Sequence, residues 1–219
     1  MALRKTDNKT QRTALYGAVR YLNEVIIMKK VLALIFAALV IATCFTACGG
    51  TTSDDGIKIP EESLIGVKYG SFEKFTAVDL HGNIVDESIF KGKKLTMINI
   101  WGTFCRPCIG EMPEIAQLNA DYADKDFQVI GIVCDVTYIG DSYDSSLHSN
   151  ALEIVEYTGA NYTNLLPSKS LDKIKLDEVY SVPETIFVDE NGNIIGGSYS
   201  GARSYDSWKY IVDSIMASM

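Results

Sequence analysis

Two stretches of the chain, 94–100 (Lys-Leu-Thr-Met-Ile-Asn-Ile) and 127–133 (Phe-Gln-Val-Ile-Gly-Ile-Val), are apolar almost without interruption. Runs of this length without polar alternation are the mark of strands covered on both faces. Between them Ile109, Met112, Ile115, Leu118 and Tyr122 recur at helical spacing. A buried strand, a helix and a second buried strand return to one sheet as a right-handed crossover, so the two strands are expected as parallel neighbours. The flanking segments add to this unit. Phe75–Leu80 and Ile84–Glu87 around His81-Gly82-Asn83 read as a hairpin, and Thr185–Asp189 and Ile194–Tyr199 around Glu190-Asn-Gly-Asn193 read as a second. Residues 136–147 read as an irregular loop, Asn150–Tyr157 and Ser170–Tyr180 as short helices, Asn161–Leu166 as a short strand and Tyr205–Met219 as a closing amphipathic helix. The fold class expected is α/β, a mixed central sheet with helices on both faces.

The N-terminal quarter carries a different kind of information. Met28-Lys-Lys precedes an uncharged run, Val31–Ala47, and then Cys48-Gly-Gly. A basic head, an apolar run and small residues before a break describe a secretory signal. The run falls short of the roughly 20 apolar residues of a spanning helix, although an uncleaved anchor is the alternative. Phe45-Thr46-Ala47-Cys48 resembles the lipobox of bacterial lipoproteins, with Phe45 where that motif has Leu; the resemblance implies a lipid on Cys48. Residues 1–27 are read as a mis-assigned upstream start or polar extension, 28–47 as the signal, 48–69 as a flexible linker and 70–219 as the folded domain. Residues 1–47 carry 7 Lys+Arg against 2 Asp+Glu, so with 20 and 28 in the whole chain the remainder carries 13 against 26, a net of −13. A body that acidic repels a phosphate backbone, and nucleic acid is excluded as a partner.

Cys105 and Cys108 lie in Trp101-Gly-Thr-Phe-Cys-Arg-Pro-Cys108, between the first buried strand and the helix. With Cys105 at a helix N-terminus and Cys108 three residues on, the two sulfurs can meet. Unpaired backbone N–H groups and the positive end of the helix dipole favour a thiolate at Cys105, and Arg106 adds positive charge beside it. Pro107 suits a first helical turn, where it need donate no N–H. Cys108, deeper in the helix, fits a resolving thiol. A zinc half-site would need two more good ligands, and only Cys134, His81 and His148 remain. Cys134, in Ile-Val-Cys-Asp, reads as a buried, inert thiol, and the two histidines as surface residues. No metal and no cofactor beyond the cysteine pair are expected.

The segment Met97–Pro113 resembles the active-site block of the thioredoxin superfamily, and within it the TlpA/ResA-like thiol-disulfide oxidoreductases. Trp101, Cys105, Pro107 and Cys108 match the superfamily. Asn99 and Glu111-Met-Pro113 match the TlpA/ResA-like members. Downstream, Tyr180-Ser-Val-Pro183-Glu-Thr-Ile-Phe-Val-Asp189 with Asn191-Gly192 is similar to the superfamily's cis-proline strand and hairpin. The resemblance implies a cis Pro183 against the cysteine pair, with the Val182 backbone pairing to an extended substrate; Trp101 is expected to shield the disulfide, and Trp101 and Arg106 are further candidates for the substrate site. It also implies a partly buried Glu111 that assists proton transfer, with Asn99 polar but uncharged behind it. It further implies reduction of disulfides of exported proteins, such as apocytochrome c or methionine sulfoxide reductase, by a body that the N-terminal signal tethers outside the cytoplasm and that is expected to be a monomer. Its electrons would come from a CcdA/DsbD-like membrane thiol transporter. Two other functions compete: a peroxiredoxin-like thiol peroxidase, disfavoured because residues 97–104 hold Thr103 but no Pro, and a metal-binding or metal-delivery lipoprotein. The loop at 136–147 is a candidate for client choice.

Overall fold

The chain divides into two units, Met1–Asp54 and Asp55–Met219. The computed structural model describes residue 57, residues 67–139 and residues 142–219, all in the second unit. The expected signal at 28–47, the expected lipid site at Cys48 and the expected extension at 1–27 lie outside the described residues.

The two apolar runs form β3 (Leu95–Trp101) and β4 (Phe127–Val133), parallel and in register from Leu95 opposite Phe127 to Trp101 opposite Val133. The helix between them is α1 (Arg106–Asp121). Before this unit come β1 (Thr76–Val78) and β2 (Ile84–Asp86), paired antiparallel. After it come β5 (Tyr138–Ile139), β6 (Ser142–Tyr143), α2 (Ser145–Thr158), β7 (Thr163–Leu165), α3 (Lys169–Ile174), β8 (Glu184–Val188), β9 (Ile194–Ser200) and α4 (Tyr205–Ser218). The main sheet runs β7-β4-β3-β8-β9; β7, β4 and β3 are parallel, and β8 and β9 are antiparallel additions on the other side.

Period-two alternation sorts the central strands between two apolar layers. Leu95, Met97, Trp101, Phe127, Val129, Val133 and Phe187 pack on one face with Met112, Ile115 and Leu118 of α1, Ala151 and Val155 of α2, and Trp208 and Val212 of α4. Ile98, Ile100, Ile130, Ile132, Ile186 and Val188 pack on the other with Phe72, Phe75, Phe90 and the α3 residues Leu171 and Ile174. Each fully buried aliphatic or aromatic chain of this kind contributes about 1.5–3 kcal/mol. Packing also reaches upstream of Gly70: Val67 is buried and Ile57 lies against the first layer.

Three local expectations are corrected. The helix expected from Asn150 begins at Ser145, because the Asp144 carboxylate caps it, accepting from the N–H groups of Ser146 and Leu147. The segment before it is not wholly irregular, since β5 and β6 pair there and Tyr138 and Tyr143 stack edge-on. The helix expected over 170–180 is broken: α3 ends at Ile174 and a separate turn of 3₁₀ helix spans Leu176–Glu178.

Candidate active site

The active-site loop is the turn from β3 into α1. Trp101 ends the strand, and Thr103 is tied to Asp135 just past β4: its N–H donates at 2.9 Å and its hydroxyl at 2.6 Å to the two carboxylate oxygens. The Cys105 N–H closes the turn onto the Gly102 carbonyl at 3.0 Å. Cys105 is then the N-cap of α1, and its sulfur accepts from the Cys108 N–H at 3.2 Å, the place a Ser or Asp oxygen takes in most helices. Pro107 stands in the first turn, where its missing N–H is not needed. Cys105 and Cys108 are joined by a disulfide, with Cα atoms 5.2 Å apart. Cys105 is 5% exposed and Cys108 not at all, so an incoming group meets Cys105.

A second segment closes on this pair from β8. The Val182–Pro183 peptide is cis. The Val182 carbonyl oxygen stands 3.5 Å from the Cys105 sulfur, a close approach and not a hydrogen bond, since a disulfide sulfur carries no hydrogen. The segment is held where it enters β8: Pro183 O accepts from Gly201 N at 2.9 Å, and Glu184, paired opposite Ile100 of β3, forms an ion pair with Lys175 at 2.6 Å. Both of those charged side chains are largely buried.

Behind the disulfide the first apolar layer is interrupted by polar groups. Asn99 of β3 lies directly opposite Gly131 of β4 and Thr185 of β8. Its Nδ2 donates to Glu111 Oε1 and to Thr185 Oγ1, both at 3.1 Å. The other carboxylate oxygen of Glu111 accepts from the Arg203 backbone N–H at 2.9 Å and from Trp208 Nε1 at 3.3 Å. The Arg203 guanidinium lies over the Tyr199 and Trp208 rings and donates to the Ser200 and Gly201 carbonyls, which fixes the turn that presents this N–H. Glu111 is 3% exposed, and burial raises its carboxyl above the usual range despite these donors. Asn99 Oδ1 and the Tyr162 hydroxyl are buried without a hydrogen-bond partner. Burial first, and the neighbouring Glu111 charge second, push the Tyr162 phenol far up.

Cys105, Cys108, Val182 and Pro183 thus meet at one point, with Glu111 and Asn99 beneath. Arg106 is exposed on the first residue of α1. Trp101 departs from its expected place lining the substrate site: it has no exposed surface, and its indole N–H donates to Asn164 Oδ1 at 3.0 Å, so it backs the disulfide from inside. That bond needs Gly131, because a Cβ there would fall 1.9 Å from Asn164 Oδ1. His148 is not a free surface residue; it is half-buried, with Nε2 2.8 Å from the Leu80 carbonyl. Cys134 is a half-buried free thiol that burial, and secondarily Asp135, push up to about 11. Sequence reasoning did not pick out Asp135, Asn164, Thr185, Arg203 or Trp208. A glycine inside an otherwise apolar strand was the one available sign of a close approach. Among the described residues no group of three or more His, Cys, Asp and Glu side chains is placed to hold a metal ion.

Comparison with known proteins agrees with this geometry. The Redoxin family profile matches residues 58–204. The thiol-disulfide oxidoreductase ResA of Bacillus cereus (strain ATCC 10987) is 27% identical over 165 residues, which are 74% of this chain and 85% of that protein. A thiol:disulfide interchange protein of the thioredoxin family from Chlorobium tepidum TLS superposes with a TM-score of 0.54 at 20% identity, covering 67% of this chain and 96% of that one. One from Bacteroides sp. gives 0.51 at 22% identity, covering 66% and 87%.

Proposed function

The chain belongs to the Redoxin family, as a TlpA/ResA-like member of the thioredoxin superfamily, and from that premise we propose that it is a thiol-disulfide oxidoreductase that reduces disulfides of exported proteins. The observation that carries this reading is the Cys105–Cys108 disulfide capping α1 beside the cis Val182–Pro183 peptide. In the reduced protein the Cys105 thiolate attacks one sulfur of a client disulfide. The client S–S bond breaks, its departing sulfur takes a proton, and Cys105 is left in a mixed disulfide. Cys108 then loses its proton and attacks the Cys105 sulfur, releasing the second client thiol and closing the disulfide. Two electrons and two protons pass to the client, and a dithiol donor must restore them.

The helix terminus supports this sequence, since the Cys108 N–H already points at the Cys105 sulfur and would stabilise the charge of a thiolate there. Glu111 lies one turn beyond Cys108 on the same helix. A buried carboxyl with a raised pKa can take the proton that Cys108 must lose and return it later. The Val182 backbone beside Cys105 offers an extended client segment a peptide group to pair with.

The location belongs to the same proposal. The basic, then apolar, then Ala47-Cys48 order supports export with a lipid on Cys48, and a CcdA/DsbD-like membrane thiol transporter as electron donor. Among the described residues no helix is long and apolar enough to cross a membrane. Apocytochrome c and methionine sulfoxide reductase remain the proposed clients.

The test uses the full chain with Cys108→Ala, in which resolution is blocked. Mixed disulfides through Cys105 should accumulate with exported proteins, and the wild type should reduce insulin where the variant cannot. A variant that traps nothing, together with a wild type inert on insulin, overturns the proposal.

A further inference from the structure

Beside the disulfide lies a groove of about 500 Å³. Phe104, next to Cys105 in the active-site loop, forms one lip, and Val182, whose carbonyl faces the Cys105 sulfur, forms part of the other. Leu176 and Val179 continue the apolar wall, and Asp172 and Asp177 are the charged residues that line it. The two aromatic rings at its margin are open to solvent, Phe104 at 71% and Tyr180 at 95% exposure. The lysines of the same segment do not line the groove: Lys175 is turned inward to Glu184 at 2.6 Å, and Lys173 is not part of the wall. The acidic wall is tied to the rest of the fold, because the Tyr138 hydroxyl of β5 donates to Asp172 at 3.1 Å.

Resting on the oxidoreductase reading above, we infer that this groove selects its clients by charge and ring: it takes a segment in which a Lys or Arg adjoins an apolar or aromatic residue beside the target cysteine. An apolar client side chain packs between Phe104 and Val182, where it removes the open Phe104 face from water. The neighbouring cation then meets the Asp172 and Asp177 carboxylates. An acidic residue at that place is repelled by both, and discrimination comes as much from that repulsion as from attraction. The net charge of −13 over residues 48–219 acts in the same direction on approach. The 136–147 segment contributes to client choice through Tyr138, which braces the acidic wall.

The test compares three disulfide-containing peptides identical except for the pair beside one cysteine: Lys-Phe, Ser-Phe and Glu-Phe. Full-length protein, reduced with dithiothreitol and freed of it, is mixed with each, and oxidation of the protein is followed in a single turnover. Lys-Phe should react about ten-fold faster than Glu-Phe at low salt, the scale of reversing one charge against two partly solvated carboxylates. The gap should shrink in about 1 M salt, where the Debye length is about 3 Å. Asp172→Asn with Asp177→Asn should bring it to within about two-fold. The exposed Asp177→Asn alone should narrow it, and reduction of hydroxyethyl disulfide should stay unchanged in both variants. Equal peptide rates in the wild type, or a Glu-Phe preference, overturn the groove proposal while leaving the oxidoreductase reading intact. Failure on every disulfide, hydroxyethyl disulfide included, overturns both.

Discussion

The Cys105 sulfur and the Val182 carbonyl oxygen stand 3.5 Å apart across 77 residues of sequence. The contact joins the two motifs on which the site depends, the loop that leads into α1 and the cis segment that leads into β8. It follows from the sheet order. β3 and β8 are adjacent and antiparallel, so the C-terminal end of β3 and the N-terminal end of β8 meet at one edge. The same register sets Asn99 opposite Thr185 and so brings the polar support of Glu111 directly under the cysteines.

Replacing Glu111 by Gln removes the buried ionisation while nearly keeping the shape. Client reduction at neutral pH should slow by roughly ten-fold, the effect of about one pKa unit in thiol ionisation, with a changed pH–rate profile. Stability should respond in a defined direction. A carboxyl whose folded pKa is raised favours the fold fully below the ordinary Glu range, and that contribution is lost as pH rises through the folded pKa. The stability of wild type relative to Glu111→Gln should therefore fall as pH rises through that window, as urea melts at a series of pH values would show.

Removing one partner of the Lys175–Glu184 pair leaves a largely buried charge uncompensated. Lys175→Met should cost about 3 kcal/mol, and adding Glu184→Met should recover most of it. Thermal melts of the three variants would check both steps; an inert single substitution would mean that the pair is not holding the cis segment.

Gly131→Ala forces Asn164 out of place, because the new Cβ would lie 1.9 Å from its Oδ1 and 3.1 Å from the Trp101 indole nitrogen. The expected cost is about 1–3 kcal/mol. Denaturant unfolding with tryptophan fluorescence would show it, with the Trp101 contribution altered in the folded state.

Cys134 lines the groove beside the disulfide yet should stay out of the chemistry. With its pKa pushed to about 11, it holds little thiolate at pH 8. Peptide mass spectrometry should find iodoacetamide labelling at Cys134 more than about 100-fold slower than at a free cysteine. Labelling at the ordinary rate would show an exposed, competing nucleophile.

Much of this arrangement is legible in the residues themselves. The apolar runs at 94–100 and 127–133 could be satisfied only inside a covered sheet, and the helix spacing between them fixed their parallel order. Cys105, Pro107 and Cys108 declare a helix start by their own chemistry. Other parts leave little trace. Arg203 reaches Glu111 through its backbone N–H, a group every residue but proline carries. Asn164 and Trp208 find their partners only through long-range packing. The start of α2 at Ser145 was hidden because its first turn is polar, and only the Asp144 cap announces it. Only the substrate-site expectation for Trp101 fails, and for a related reason: its place beside the cysteines in sequence says nothing about which side of the sheet its ring takes.

The central claim is most directly tested by the pH dependence of Cys105 alkylation in the reduced, full-length protein. Capping α1 with its own sulfur should hold Cys105 as a thiolate at neutral pH, with a pKa well below the roughly 8.5 of a free thiol. A midpoint at or above about 8.5 would contradict the assignment of Cys105 as the attacking group.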